Sequence, residues 1–105
     1  MLTIIDLGIS NIASLTAALT SIDVEYKIGS TKEEIYSADA IILPGVGAFK
    51  DGMNSLREKE LVQPIYERGI EGAPILGICL GMQLLGELSY EFGEHDGIGL
   101  LSGEV

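Results

Sequence analysis

Residues 74–84 read Pro-Ile-Leu-Gly-Ile-Cys-Leu-Gly-Met-Gln-Leu, so that an apolar strand runs directly into an apolar helix. A strand over residues 74–78 and a helix from residue 80 leave Cys79 alone to make the turn. Glycines stand two residues before and two residues after this cysteine. A nucleophile on so tight a turn needs small neighbours, because larger side chains would collide. The stretch therefore predicts a nucleophile elbow at Cys79.

Outward from this stretch, strand-like and helix-like segments alternate along the chain. Strands are predicted over residues 2–6, 24–28, 40–43 and 74–78, and helices from residues 12 and 32, near 53–56, and over 61–68 and 80–88. Residues 40–43 are apolar throughout, as in a buried parallel strand, whereas residues 24–28 alternate like a strand near a sheet edge. Short connections between such elements predict an α/β fold with a doubly wound, mostly parallel, flavodoxin-like sheet.

Local signals mark several of these boundaries. Ser10 or Asn11 can cap the first helix, whose apolar stripe is formed by Ile12, Leu15, Leu19 and Ile22. Thr31 opens a Thr-Lys-Glu-Glu capping box for a short helix through Ser37. From Gly93 onward the glycine-rich sequence predicts a hairpin or loop, and residues 100–105 read as the start of another strand.

The composition argues against several classes of function. The formal net charge is −10, and only six Lys and Arg residues are scattered along the chain, so no nucleic-acid partner is predicted. No membrane contact is predicted either, since no apolar run approaches the ~20 residues that cross a bilayer. The first residues lack the basic start of a signal peptide. Cys79 is the only cysteine, which rules out an internal disulfide and favours a reducing, cytoplasmic setting.

The chemistry expected at the elbow is that of an activated thiol. Backbone N–H groups at the start of the following helix point at the sulfur, and the N–H of Leu80 is placed to bind an oxyanion. The turn Pro44-Gly45-Val46-Gly47 should lie beside the elbow and direct another N–H toward that oxyanion. The alternative for Cys79 is a buried structural cysteine, and the alternative for residues 44–47 is an ordinary turn. Neither loop has a nucleotide-binding pattern, and no cofactor or metal is predicted.

With both loops in place, the sequence resembles class I glutamine amidotransferases, and within them the glutaminase subunits of imidazole glycerol phosphate synthases. The matching stretches are residues 43–49 with Met53, residues 77–85, and the glycine-rich residues 97–99 and 103–105. Sister amidotransferases typically have Pro-Gly-Pro-Gly where residues 44–47 stand here, and this chain has Val46 in place of the second proline. They also typically have Gly-His-Gln after the nucleophile, and this chain has Met82 in place of the histidine. A related superfamily of cysteine hydrolases often has histidine at the position of Leu80.

The resemblance implies a role for each matching residue. Cys79 would attack the side-chain amide of glutamine, forming a γ-glutamyl thioester and releasing ammonia. The oxyanion site would be formed by Gly45, Val46, Gly47 and Leu80. Gln83 and Glu91 would bind the glutamine, the latter at its α-ammonium group; the alternatives are a polar residue on an apolar helix and a solvated charge. The ammonia would pass to a (β/α)₈-barrel cyclase subunit of histidine biosynthesis, in a heterodimer.

Residues 1–105 are expected to be the N-terminal part of a single amidotransferase domain. The family places a histidine and a glutamate, two residues apart, far downstream of the cysteine, as base and orienter. The only histidine here, His95, matches nothing in that motif and is expected in a surface loop. The sequence therefore predicts a truncated flavodoxin-like domain, and this domain by itself is expected not to hydrolyse glutamine.

One loop departs from the family pattern. The family usually reads Asp-Tyr-Gly-x-Gly-Asn near the interface with the cyclase, and here Leu7 and Ser10 replace the tyrosine and the second glycine. This departure leaves open a paralogous amidotransferase that serves another acceptor subunit, for example in surface-sugar amidation. A further alternative, of a different class, is a non-catalytic flavodoxin-like module in which Cys79 is inert.

Overall fold

The predicted alternation of strand and helix is confirmed in the structure, a computed structural model that describes residues 1–8, 11–90 and 93–103. The strands are β1 (Leu2–Ile5), β2 (Tyr26–Gly29), β3 (Ala40–Gly45), β4 (Ile75–Cys79), β5 (Leu88–Ser89) and β6 (His95–Asp96). The helices are α1 (Ile12–Ser21), α2 (Lys32–Tyr36), α3 (Phe49–Glu58), α4 (Val62–Ile70) and α5 (Leu80–Leu84).

Strands β1 to β4 form one parallel sheet in the order β2-β1-β3-β4, as the flavodoxin-like prediction requires. β1 lies between β2 and β3 and pairs Ile4 with both Ile28 and Ile42. β2 is an edge strand, as its alternating sequence indicates. β3 pairs with β4 in a register that sets Gly45 opposite Cys79. Because the strands are parallel, the loops that follow them meet at one end of the sheet.

The two faces of the sheet are covered unequally. On one face, residues from α2 to α5 enclose the larger core, which includes Ile5, Ile35, Leu43, Phe49, Met53, Leu56, Ile65 and Leu84. On the other face, the smaller core joins Leu19 of α1 to Ile4 and Ile42. Among the described residues, α1 is the only helix in that smaller core. Parallel sheets normally have both faces covered by helices.

Asn11 is the N-cap of α1, because its side chain accepts a hydrogen bond at 3.4 Å from the backbone N–H three residues later. Ser10, the other predicted cap, lies outside the described residues. The inclusion of Ile22 in the apolar stripe is wrong. The helix ends at Ser21 and Ile22 is its C-cap, where the chain leaves the helix, so the isoleucine side chain is 67% exposed.

The capping box predicted at Thr31 is confirmed at the start of α2. The Thr31 hydroxyl accepts a hydrogen bond from the N–H of Glu34 at 3.3 Å, and the Glu34 carboxylate accepts from the N–H groups of Ser30 and Thr31. These hydrogen bonds, led by the one from Ser30, lower the pKa of Glu34 below its ordinary value. The box therefore operates with an ionised Glu34.

The predicted end of the third strand is wrong by two residues, because β3 continues through Pro44 and Gly45. Proline has no N–H to donate to a ladder and is normally excluded from central strands. The pairing of β3 with β1 already ends at Ile42, so Pro44 has one neighbouring strand instead of two. The position therefore behaves as an edge position.

Helix α5 ends at Leu84 and does not continue to Leu88 as predicted. The carbonyls of Leu84 and Leu85 accept hydrogen bonds from the N–H groups of Ile98 and Leu101, at 2.8 and 2.9 Å, instead of from another helical turn. The chain then forms the antiparallel β5–β6 hairpin, whose first strand lies before Gly93, whereas a hairpin or loop was expected from Gly93 onward.

Residues 100–103 are bends and coil, so the strand expected there is wrong for the part that the structure describes. The reason is the same pair of hydrogen bonds, which hold this segment against the end of α5. Within residues 1–8, 11–90 and 93–103, no helix has the length and apolar character needed to cross a membrane.

Candidate active site at the nucleophile elbow

Cys79 is both the last residue of β4 and the N-cap of α5, so strand passes into helix through this one residue. Its backbone has φ +54° and ψ −121°, a conformation that residues with a side chain rarely adopt and that occurs at nucleophile elbows. The thiol is free and exposed. This geometry matches the predicted elbow, and the role of Cys79 as nucleophile stays a prediction.

Gly77 and Gly81 make room for the elbow against different neighbours. A Cβ on Gly77 would lie 2.6 Å from the Cα of Met82 and 2.9 Å from the carbonyl carbon of Gly81. The predicted crowding between the two glycines therefore holds for Gly77. A Cβ on Gly81 would instead lie 1.7 Å from the carbonyl oxygen of Leu43, in β3. Gly81 is needed because α5 begins directly against the backbone of the neighbouring strand.

The loop after β3 lies beside the elbow, as predicted. Gly45 is paired with Cys79 in the sheet, and a Cβ added to Gly45 would lie 3.4 Å from the Cβ of Leu80. Gly47 has φ +106°, in the region that favours glycine, and Val46 is 55% exposed. The structure thus places Gly45, Val46 and Leu80 beside Cys79, and Gly47 follows directly in the same loop.

A cleft of about 300 Å³ opens between the elbow and α1. It is lined by Asn11, Ser14, Leu15, Pro44, Gly45, Val46, Ile78 and Cys79. The first three of these residues were not predicted from the sequence to belong to the site. Their position after β1 could have identified them, because the carboxyl ends of neighbouring parallel strands meet at the same end of a sheet.

Helix α3 ties together the segments around the elbow. It begins at Phe49, two residues after Gly47 of the loop that follows β3. The Ser55 hydroxyl donates a hydrogen bond to the carbonyl of Leu7 at 3.0 Å, and the guanidinium of Arg57 donates to the carbonyl of Asp96 at 3.2 Å. These contacts join residues 48 and 39 positions apart, so no local sequence pattern reports them.

Leu7, which stands where the resembled family has tyrosine, is a core residue. It is 4% exposed and packs in the larger core. The carboxylate of Asp6 accepts a hydrogen bond from the N–H of Gly8 at 2.8 Å, which turns the chain immediately after it. The exchange at Leu7 therefore concerns internal packing, and the exchange at Ser10 lies outside the described residues.

The other predicted residues are only partly assembled. Gln83 is half-buried in α5, one helical turn after Cys79. Glu91 lies outside the described residues. His95 was expected in a surface loop and instead lies half-buried in β6, paired with Ser89, because the hairpin begins before the glycine-rich segment. It is not among the residues that line the cleft at Cys79.

Comparisons with known proteins point to one family. The sequence profile of "Glutamine amidotransferase class-I" matches residues 3–95. Imidazole glycerol phosphate synthase subunit HisH 1 of Legionella pneumophila (strain Lens) is 48% identical over 102 residues, covering 97% of this chain and 48% of that protein. Imidazole glycerol phosphate synthase subunit HisH of Lactococcus lactis subsp. lactis (strain IL1403) is 53% identical over 102 residues, covering 97% and 50%.

The chain spans about half the length of the curated relatives it matches. A crystal structure of a glutamine amidotransferase also shares the fold, with a TM-score of 0.83 over 98% of this chain and 54% of that chain. The two sequences are 23% identical, so this likeness concerns the fold alone.

Proposed function

Since the chain belongs to the class I glutamine amidotransferase family, we propose that it is the nucleophile-bearing part of a glutaminase. The whole protein hydrolyses the side-chain amide of glutamine and delivers the ammonia to an acceptor subunit. The relatives named as imidazole glycerol phosphate synthase subunit HisH support that synthase as the complex to which the whole protein contributes. Histidine biosynthesis as the pathway and a (β/α)₈-barrel cyclase as the acceptor are what the family resemblance implies. Cys79 must remain a free thiol for this chemistry, which favours a reducing, cytoplasmic compartment.

The proposed reaction begins at the sulfur of Cys79. The sulfur attacks the amide carbon of glutamine while a base takes the thiol proton, and N–H groups of the Val46 loop and of Leu80 stabilise the oxyanion. The C–N bond then breaks, the base returns the proton to the leaving nitrogen, and ammonia departs from a γ-glutamyl thioester. Water hydrolyses the thioester to glutamate and restores the thiol. Gln83 and Glu91 hold the substrate in this scheme.

The observation that carries the proposal is the backbone of Cys79, at φ +54° and ψ −121°. Such a conformation costs on the order of 1–3 kcal/mol and persists only where the surroundings impose it. Here β3 and the start of α5 impose it, and Gly77 and Gly81 make room for it. An inert cysteine in a flavodoxin-like module has no use for this turn, so the elbow favours the enzyme over the module.

We also propose that residues 1–105 form the N-terminal part of one amidotransferase domain and that the base lies outside them. Two observations support this: the relatives are about twice as long, and no histidine lines the described part of the cleft beside Cys79. The paralogous alternative, with a different acceptor subunit, loses support because Leu7 is buried and does not present a changed surface to a partner.

Modification of Cys79 by a chloroketone analogue of glutamine tests the proposed site. The folded chain should be labelled at Cys79 faster than the chain in denaturant, because only the folded chain binds the analogue. Iodoacetamide, which needs no binding pocket, should show no such advantage, and Cys79→Ala should take up neither reagent. Equal rates of analogue labelling in the folded and the denatured chain would contradict the proposed function.

A glutaminase assay tests the proposed location of the base. The chain alone should release no more ammonia from glutamine than its Cys79→Ala variant does. Sustained release from the isolated chain, absent in Cys79→Ala, would show that residues 1–105 contain the base and would overturn this part of the proposal.

A further inference from the structure

One segment contacts the C-terminal ends of both helices that begin at the predicted oxyanion site. Helix α3 begins at Phe49, two residues after Gly47 of the loop that follows β3, and helix α5 begins at Leu80. The proposed oxyanion donors therefore lie at the N-terminal ends of these two helices. We call residues 96–103 the joining segment; it contains the last residue of β6 and the coil that follows.

Backbone hydrogen bonds connect the joining segment to the end of α5. The N–H groups of residues 98, 101, 99 and 97 donate to the carbonyls of residues 84, 85, 86 and 87, at 2.8 to 2.9 Å. Glu87 also pairs with Gly103: its N–H donates to the Gly103 carbonyl and its carboxylate accepts from the Gly103 N–H, both at 3.1 Å. Helix α5 has five residues, and helices of this length are not stable in isolation. Its position therefore depends on what its ends contact.

Gly97 of the joining segment lies against the chain that leaves α5. A Cβ on Gly97 would lie 2.1 Å from the carbonyl oxygen of Gly86 and 3.1 Å from that of Leu84. The segment is also packed inward, because Ile98 is buried in the larger core and Leu100 packs against that core. The segment alone therefore cannot accommodate a larger residue at position 97, and the end of α5 must move.

Helix α3 contacts the same segment. Arg57, in the last turn of α3, donates a hydrogen bond to the carbonyl of Asp96 at 3.2 Å. The two helices also pack closely on each other, since a Cβ on Gly52 of α3 would lie 3.0 Å from the side chain of Leu84 and 3.1 Å from that of Leu80. Helices α3 and α5 therefore form one packed pair whose C-terminal ends meet at the joining segment.

We propose that the joining segment positions the oxyanion donors, with Gly97 and Arg57 as positioning residues for the reaction of Cys79. The inference rests on the proposed function. Donors stabilise a developing oxyanion only at hydrogen-bond distance, and a misplacement of about 1 Å can slow a reaction ~10²-fold. Displacement of α5 moves the N–H of Leu80, and displacement of α3 moves the loop that contains Val46. Gly97 and Arg57 act through these helices, because neither is among the described residues that line the cleft beside Cys79.

The chloroketone analogue of glutamine tests this role, because its reaction with a thiol passes through an oxyanion. The Cys79 thiol gives its proton to the buffer and the sulfur adds to the ketone carbon, which places the negative charge on the ketone oxygen. The carbonyl re-forms as the sulfur moves to the adjacent carbon and displaces chloride, which leaves a thioether. With iodoacetamide the sulfur displaces iodide directly from a CH₂ carbon, so that reaction does not need the donors.

Gly97→Ala should lower the maximal rate of labelling at saturating analogue at least ~10-fold, because an oxyanion donor is misaligned. The analogue concentration that gives half of the maximal rate, and the rate with iodoacetamide, should each change less than ~2-fold. Gly99→Ala is the matched control in the same segment, at φ +84°, where an added Cβ would meet no described atom within 4 Å. It should destabilise the chain through its backbone and leave the maximal labelling rate within ~2-fold of that of the unmodified chain.

Arg57 provides a second test that involves no packed side chain, because Arg57 is exposed. Arg57→Met should lower the maximal labelling rate ~3-fold, in line with the loss of one hydrogen bond. Arg57→Lys, which keeps a donor, should restore most of that rate. Lys59→Met is the control, because it removes the same charge at the C-cap of α3, and it should leave the rate unchanged.

Analogue labelling at the maximal rate of the unmodified chain, in folded Gly97→Ala or in Arg57→Met, would overturn the inference. An equal loss of rate with iodoacetamide, or an equal loss in Gly99→Ala, would also overturn it, since general damage to the fold would then explain the effect. Failure of the proposed function is recognised separately, in the unmodified chain. If the analogue labels that chain equally fast when folded and when denatured, the proposed function is contradicted and the inference with it, whereas failure of the inference alone is confined to the variants.

Discussion

Cys79 is held at φ +54°, where a Cβ crowds the backbone and glycine alone is comfortable. The strain exists because the strand must end and the helix must begin at the same residue. A turn of this kind projects the sulfur away from the sheet, and the thiol is exposed. The strained backbone of Cys79 therefore accompanies the exposed thiol that the proposed reaction needs.

Replacement of Cys79 separates strain from chemistry. Both Cys79→Ala and Cys79→Gly remove the thiol. Cys79→Ala keeps the Cβ and hence the backbone strain, whereas Cys79→Gly removes the Cβ and the strain. Relief of about 1–3 kcal/mol is opposed by the greater freedom of glycine in the unfolded chain, about 0.4–1 kcal/mol. In denaturant unfolding, Cys79→Gly should therefore be more stable than Cys79→Ala by about 1 kcal/mol. Equal stability of the two variants would mean that the turn is not strained.

Gly81 and Gly45 lie on either side of the same contact and should respond differently to alanine. A Cβ on Gly81 would lie 1.7 Å from the carbonyl oxygen of Leu43, which cannot move without distorting β3. Gly81→Ala should therefore destabilise the chain by about 3 kcal/mol or more. At Gly45 the nearest atom would be 3.4 Å away, so Gly45→Ala should change the free energy of unfolding by less than about 1 kcal/mol. Similar values for the two variants would contradict the close packing of α5 on β3.

At the scale of the elements, side chains on α2 and α4 join two helices on the larger-core face. The Tyr36 hydroxyl donates a hydrogen bond to the Glu67 carboxylate at 2.6 Å, and Gln63 donates to the other carboxylate oxygen at 2.9 Å. The bond from Tyr36, then that from Gln63, lowers the pKa of Glu67 below its ordinary value of 4.5. Hydrogen bonding to Glu67, then burial, raises the pKa of Tyr36 above its ordinary value of 10.0.

These pKa shifts predict that the stability of the folded chain rises with pH in the acidic range and falls with pH in the alkaline range. The stabilisation from Glu67 is present above its unfolded pKa and is lost as pH falls from about 4.5 through the lower, folded pKa. The stabilisation from neutral Tyr36 is present below pH 10 and is lost as pH rises through the higher, folded pKa. Tyr36→Phe should flatten the dependence of the unfolding free energy on pH in both windows.

Tyr66→Phe is the control for this experiment, because it makes the same change on α4, one residue before Glu67. It should leave the pH profile as in the unmodified chain. A Tyr36→Phe variant whose profile is parallel to that of the unmodified chain in both windows would exclude the Tyr36–Glu67 bond as the source of the dependence.

At the scale of the whole molecule, protection of the backbone should follow the strand order. β1 and β3 each have a strand on both sides, whereas β2 and β4 are the edges. In native hydrogen exchange, the amides of β1 and β3 should exchange most slowly. The amides on the side of β4 where none of the described strands pairs should exchange orders of magnitude faster. Protection of β4 equal to that of β1 would mean that the isolated chain already covers this edge, for instance by self-association.

Family membership and the parallel α/β fold, both predicted from the sequence, are confirmed. The prediction was possible because the elbow depends on backbone chemistry over a few residues. Cys79 between two glycines, and Gly47 at a positive φ, are local requirements that leave a local pattern. The ends of helices and strands were predicted less well. Helix α5 ends at Leu84 because the N–H groups of residues 98 and 101, which are distant in sequence, donate hydrogen bonds to the carbonyls at its end.

Local order along the chain thus specified the alternation of strands and helices, the capping box at Thr31 and the tight turn at Cys79. Packing between distant segments specified the rest. The reason why Gly81 must be glycine lies in β3, and the burial of Leu7 depends on the larger core. The cleft exists only where the start of α1 lies beside the end of β3 and the elbow. Such contacts are set by strand order and register, which are long-range properties, and no window of a few residues contains them.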